Sequence, residues 1–164
     1  MKRQIRRNVF ETNSSSMHSL SIKGRKGITE YLPVDTDSNK VITKFGEFGW
    51  GYERYKDPET KLSYLATMLI EAHPFCFSLE ELYETEDFKK INDVVASRCK
   101  CDGIIINEEI KEVCYEGMSW ADHDGYIDHL SVKRINDLMK EYGCTIEEFI
   151  FDKGIELIID NDNH

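Results

Sequence analysis

The sequence contains no long apolar run. No stretch approaches the roughly 20 consecutive apolar residues that a membrane-spanning helix needs. No apolar segment follows the charged start at residues 1–7, as it would in a secretory signal. We therefore expect a cytoplasmic protein that does not bind membranes. Hydrophobic residues still make up 40% of the 164 residues, which is enough to build the core of one globular domain.

The cysteines lack the spacing of a disulfide framework or a zinc site. The chain has five of them, an odd number, and no two form a C-x-x-C pair. We interpret all five as reduced thiols, in keeping with a cytoplasmic location. The closest pair, Cys99 and Cys101, has no second pair to complete a structural zinc site.

Acidic residues outnumber basic ones beyond the N-terminal end. The first 26 residues carry seven lysines and arginines against Glu11 alone, a net charge of +6. The whole chain carries −10, so residues 27–164 carry −16. This acidic body excludes binding to duplex DNA over a broad surface. The basic end pairs with the acidic body in the simplest interpretation, and the alternative is that it holds one phosphate group.

Common nucleotide-binding and hydrolase motifs are also missing. The sequence has neither a Gly-Lys-Ser/Thr phosphate loop nor a G-x-S-x-G elbow. Strand patterns come early, helical patterns lie in the middle and isolated strand patterns return late, without the alternation of a doubly wound sheet. The sequence therefore predicts a single α+β domain with a mostly antiparallel sheet and three to five helices.

The densest group of proton-transferring and metal-binding side chains lies between Trp120 and Ser131. Ser131 precedes a helical pattern, so we expect it to be a helix N-cap. His129 would then lie just before a helix N-terminus, which favours anions. This predicts a carboxylate–histidine site facing a phosphate-like group. The alternative is a polar loop closed by one Asp–His hydrogen bond. The carboxylates and histidines of the stretch are Asp122, His123, Asp124, Asp128 and His129.

A second polar group precedes a strand pattern at residues 18–22. Its amides and hydroxyls can cradle an oxyanion, and the neighbouring His18 can exchange a proton. An ordinary serine-rich turn is the alternative. This loop consists of Asn13, Ser14, Ser15 and Ser16.

The two polar groups predict one joint site. Because both lie at strand ends, we expect His18 to approach Asp128 or His129. These three residues are the predicted catalytic acids or bases. They are also the predicted ligands of a divalent transition metal, since histidine and aspartate suit Mn²⁺, Zn²⁺ or Fe²⁺ better than Ca²⁺.

Apolar periodicity predicts the core. Asp57 followed by Pro58 marks a helix start, and the apolar residues after them recur at helical spacing. We interpret the aromatic, glycine-rich loop at residues 45–55 as a cap on the core, with base stacking as the alternative. The residues that we expect to be buried are Leu62, Leu65, Leu69, Ile91, Val95, Ile105 and Leu138.

The segment R-N-V-F-E-T-N-S-S-S-M-H-S-L at residues 7–20 resembles the opening of a group of uncharacterised proteins encoded by phages and prophages of Gram-positive bacteria. Shorter segments along the chain resemble the same group, at residues 48–50, 60–64, 126–129 and 160–163. Leu130 departs from the glutamine expected at its position. The resemblance implies a phage-type protein and carries no assigned activity.

Two function classes follow from these patterns. The first is a small enzyme, metal-dependent in one version, that processes a phosphoester or nucleotide and binds a small phosphorylated ligand. The second is a non-enzymatic acidic protein that binds and modulates a host protein.

Overall fold

The computed structural model describes residues 16–22, 31–128 and 131–161. Within these ranges helices and strands are mixed, and most strand pairing is antiparallel, so the predicted α+β class is confirmed. The helices within these ranges are α1 (Pro58–Ala72), α2 (Leu79–Tyr83), α3 (Glu86–Cys99), α4 (Ile135–Tyr142) and α5 (Ile146–Phe151). The strands are β1 (Ser16–Ile22), β2 (Val41–Thr43), β3 (Glu47–Phe48), β4 (Glu53–Tyr55), β5 (Ile104–Ile106), β6 (Lys111–Tyr115), β7 (Met118–Asp122), β8 (Tyr126–Ile127) and β9 (Ile155–Asn161).

The largest sheet has β9 at its centre, with β1 and β4 antiparallel on its two sides. Two short parallel pairs, β2 with β5 and β3 with β8, lie elsewhere in the fold. Residues 3–11 also show a strand pattern in the sequence, but they lie outside the described residues.

Residues 103–107 and 110–115 each show a strand pattern in the sequence and would be possible partners, but the structure does not pair them. Strand β5 pairs with β2, and β6 pairs with β7 as a hairpin. Glu116 and Gly117 connect β6 to β7 with φ of 49° and 77°. Two consecutive positive φ angles are typical of the tight turn that matches the twist of a hairpin. The local turn therefore decides the partner of β6.

Local capping signals fix most helix ends. The Asp57 carboxylate accepts a hydrogen bond from the Thr60 N–H at 2.8 Å, and Thr145 and Glu148 form a complete capping box. Gly143 ends α4 with φ of 68°.

Ser131 is not the N-cap that the sequence predicted. Helix α4 begins at Ile135 with Arg134 as its N-cap. The Ser131 N–H instead donates to the Asp128 carbonyl at 2.8 Å and closes a turn. Residues 132–134 belong to neither a helix nor a strand, and the Lys133 N–H meets the sulfur of Met68. The helix thus begins where its apolar face reaches the core, since Ile135 is fully buried.

Six of the seven residues that the sequence predicts to be buried do lie in the core. Leu62, Leu65, Leu69, Ile91, Val95 and Leu138 are all buried and belong to one cluster. Ile105 is only partly buried, so that prediction is wrong. Successive side chains on a strand point to opposite faces, and in β5 it is Ile104 and Ile106 that face the core.

Shortening a fully buried side chain of α1 tests this core. We expect Leu65→Ala to lower the free energy of unfolding by about 2–5 kcal/mol, because it removes buried methyl groups and leaves a cavity. The control is Ile42→Ala at a position that is 50% exposed. Urea unfolding of both variants measures the difference. A loss well under 1 kcal/mol for Leu65→Ala would show that this helix face is not in the core.

Candidate functional site

Strand β1 points His18 toward the core. Met17 before it is 64% exposed, whereas the His18 ring is partly buried, as alternation along a strand requires. Pairing with Ile159 of β9 fixes its position in the sheet. The His18 Nδ1 lies 2.7 Å from the hydroxyl oxygen of Tyr64, which is a short hydrogen bond.

One buried and one partly buried tyrosine extend this contact. The Tyr64 hydroxyl, on α1, lies 3.3 Å from the Tyr142 hydroxyl, on α4. Burial raises the pKa of Tyr142 to about 12 and that of Tyr64 well above its usual range. Both phenols therefore stay protonated near neutral pH, so each can donate one hydrogen bond and accept another. A proton can therefore be passed along the hydrogen-bonded series from His18 through Tyr64 to Tyr142 while both phenols stay neutral.

Asp128 supplies negative charge to the same cluster. It directly follows β8 and is 1% exposed. Burial lowers the pKa of His18 to about 4, while the carboxylates of Asp128 and Glu141 act in the opposite direction and raise it. The loss of solvation outweighs the two charges, so the imidazole is neutral near pH 7.

The structure thus places His18 and Asp128 in one electrostatic cluster. Ser16 is the first residue of β1 and not part of a loop, because it pairs with Asn161 of β9. The other predicted site residues lie outside the described residues. They are Asn13, Ser14, Ser15 and His129.

The dense stretch before Ser131 does not form a single site. Residues 120–122 end the hairpin at β7, with Asp122 exposed, whereas Asp128 is buried. His123 lies against Glu71, with 4.0 Å between Nε2 and Oε1. Within the described ranges, no group of three or more histidine, cysteine, aspartate or glutamate side chains is placed to hold a metal ion. His129, one of the predicted metal ligands, lies outside these ranges, so this finding does not cover the complete predicted set of ligands.

Sequence reasoning missed Tyr64 and Tyr142 as members of the site. Both were interpreted only as parts of helical patterns. One available signal was that Tyr64 falls on the apolar stripe of α1, and a buried tyrosine hydroxyl usually finds a hydrogen-bond partner. Which partner it finds depends on pairing between distant strands, which the sequence does not display.

A third histidine belongs to a structural cluster. The Asp87 carboxylate lies 3.0 Å from the His73 Nε2 and accepts a bond from the Arg134 Nε at 2.6 Å. Burial would raise the pKa of Asp87, but the hydrogen bonds of Arg134 and His73 outweigh it and hold that pKa below its usual value. These contacts join the end of α1 to the starts of α3 and α4.

No family model, curated protein or solved structure matches this chain. No helix in the described ranges is long and apolar enough to cross a bilayer. The functional argument therefore starts from the cluster around His18.

The lowered pKa of His18 predicts a pH-dependent stability. The unfolded ring titrates near 6.5 and the folded ring at about 4. Between these values the unfolded state binds more protons, so lowering the pH across this window reduces the free energy of unfolding by about 3 kcal/mol. Above pH 6.5 this contribution is constant.

We expect His18→Asn to remove that pH dependence, because asparagine keeps a polar atom near Tyr64 and does not titrate. Urea unfolding of wild type and variant at steps between pH 4 and pH 7 measures it. An unchanged slope in the variant would show that His18 is not the responsible group.

Proposed function

We propose that this chain is a phage-type enzyme of small phosphoester or nucleotide substrates that works in the cytoplasm of a bacterial host. The observation that supports the proposal is a desolvated, neutral His18 held by Tyr64 within the field of the buried Asp128. Titratable groups with perturbed pKa values concentrate at functional sites.

His18 would act as the general base. In the tautomer with the proton on Nδ1, that nitrogen donates to the Tyr64 oxygen, and the Tyr64 hydroxyl donates onward to Tyr142. The basic lone pair then lies on Nε2, where it can take a proton from an attacking water or hydroxyl. The same ring can return the proton to the leaving group as a general acid.

Asp128 would stabilise the imidazolium that forms during this transfer. Its charge already raises the pKa of His18. A buried carboxylate near an imidazole gains strength because little water screens the pair. Asp128 acts in this proposal as an electrostatic partner of His18 and not as the group that takes the proton.

The remaining predicted residues complete the proposal. Backbone amides and hydroxyls of Asn13, Ser14, Ser15 and Ser16 would hold the phosphate oxygens. His18, Asp128 and His129 would hold a divalent transition metal in the metal-dependent version. Metal binding requires a neutral imidazole, and the low pKa of His18 fits that requirement. A bound metal would supply Lewis-acid charge stabilisation.

Binding to a host protein through an acidic surface is the second candidate function. The observation that favours it is the exposure of large apolar side chains on the β6–β7 hairpin, among them Tyr115 and Met118.

Activity assays with matched histidine variants test the enzymatic proposal. Wild type, His18→Asn, His129→Ala and His73→Gln are assayed on a panel of nucleotides and phosphodiesters with Mn²⁺, Zn²⁺ or no metal. We expect His18→Asn and His129→Ala to lose a factor of about 10²–10⁴ in rate, and more where a metal ligand is lost.

His73→Gln is the control, because His73 lies in the structural cluster with Asp87 and should affect thermal stability alone. Thermal melts of all variants separate unfolding from loss of chemistry. The enzymatic proposal fails if wild type turns over no substrate, or if His18→Asn loses stability without a selective loss of rate.

A further inference from the structure

The β6–β7 hairpin presents an apolar ladder to solvent. Tyr115 is paired with Met118, and Val113 with Trp120, directly across the two strands. Side chains with a spacing of two share one face of a strand, so all four lie on the same face of the hairpin. Tyr115 is 66% exposed, Met118 68% and Trp120 41%. Contiguous exposed apolar surface of this kind marks interaction sites.

Carboxylates surround this ladder. The charged side chains of residues 108–124 are exposed or partly exposed; Lys111 is the one lysine or arginine among them, and Lys44 and His123 are basic groups that act on Glu108. Burial raises the pKa of Glu108, and the nearby charge of Asp124 raises it further. The acidic residues are Glu108, Glu109, Glu112, Glu116, Asp122 and Asp124. The field around the apolar ladder is therefore negative.

A cavity of about 350 Å³ lies at the base of the hairpin. Trp120 and Asp122 line it from β7, Glu71 from α1, and His123 from the connection to β8. The Ala121 N–H donates to the Pro74 carbonyl at 3.3 Å and attaches the hairpin to this wall. The volume is near the lower limit of ordinary ligand pockets, so it fits one side chain better than a large ligand.

The cavity has the chemistry of a cation site. The His123 Nδ1 donates to the Asp124 carbonyl at 2.7 Å, which leaves Nε2 facing the Glu71 Oε1 at 4.0 Å. The carboxylates of Glu71 and Asp122 line the same cavity. A guest that carries several N–H donors complements these carboxylates, and the face of Trp120 attracts a cation.

We infer that the hairpin and this cavity together form a docking surface for a protein segment that carries an arginine or lysine beside apolar side chains. The cationic side chain enters the cavity, and the apolar neighbours cover Tyr115, Met118 and Trp120. Pairing of this hairpin with the hairpin of a second copy is disfavoured, because both carry the same negative charge. The inference rests on the second candidate function, names the surface for it, and does not depend on His18.

Selection from a library of random short peptides tests the chemistry of the partner. The full-length chain is immobilised, and the expected result is enrichment of sequences that combine arginine or lysine with apolar residues. Enriched peptides without a basic residue would overturn the inference. No enrichment at all would overturn both the inference and the second candidate function, and would leave the His18 experiment unaffected.

Binding of the best enriched peptide then locates the surface. Trp50→Phe leaves Trp120 as the single tryptophan, and Trp50 packs on Tyr126 outside the cavity. In this background we expect Glu71→Gln and Met118→Thr each to weaken peptide binding by about tenfold, measured by Trp120 fluorescence.

Two matched controls remove the same chemistry elsewhere. Glu84→Gln neutralises a glutamate whose side chain is 81% exposed. Ile42→Thr replaces an apolar residue that lies on a strand and is 50% exposed. Both controls should bind as the Trp50→Phe background does. Equal binding by all variants would show that the peptide binds elsewhere. That result would overturn the inference of this docking surface but would not contradict the second candidate function.

Two further outcomes also contradict the inference. Binding of acetyl-arginine amide or spermidine as tightly as the peptide would make the cavity a small-cation site. Concentration-dependent dimers that Met118→Thr abolishes, measured by analytical ultracentrifugation, would make the occupant a second copy.

Discussion

The buried side chain of Lys61 fixes the arrangement on which the rest of the fold depends. Its amine donates to the carbonyls of Asp152 and Ile155, at 3.2 and 3.1 Å, where α5 ends and β9 begins. Burying an amine without partners would cost several kcal/mol, so these bonds hold α1 against that junction. Because β9 is the central strand of the largest sheet, the position of α1 determines where β1 and β4 lie relative to the helices.

Helix α1 also contributes one side chain to the His18 cluster and another to the cavity under the β6–β7 hairpin. Tyr64 follows Lys61 by three residues, so the two share one helix face, and Tyr64 meets His18 on β1. Glu71 lies seven residues beyond Tyr64, which is about 10 Å along the helix axis, and lines the cavity under the hairpin. One helix therefore positions a desolvated histidine cluster at one place and an acidic cavity at another. The two surfaces can be tested by variants that do not share a residue.

The sequence predicted those features that depend on neighbours in the chain. The helix start at Asp57 depends on local chemistry and was predicted correctly, and Thr145 and Gly143 cap their helices through local contacts of the same kind. Ser131 had the same local signal, but there the turn back to Asp128 and the burial of Ile135 decided the helix start.

Pairing between distant strands was harder to predict. Ile105 was assigned to the core from composition, whereas the face of β5 toward the core is set by its pairing with β2. The approach of Asp128 to His18 was expected because both lie at strand ends. The two tyrosines that join the cluster depend on how α1 and α4 pack, and no spacing in the sequence shows that.

The electrostatics of His18 favour a particular class of substrate for the proposed enzyme. A ring with a pKa of about 4 is a weak base near neutral pH, and general bases work best when their pKa is close to the working pH. Burial is the dominant cause of the low value, and negative charge is what raises it. A phosphorylated substrate brings such charge to the ring, so its binding would move the pKa upward toward neutrality. A neutral substrate would bring no such charge and would leave the ring a poor base. In the proposed enzyme, these electrostatics would therefore favour anionic phosphoesters over uncharged esters or amides.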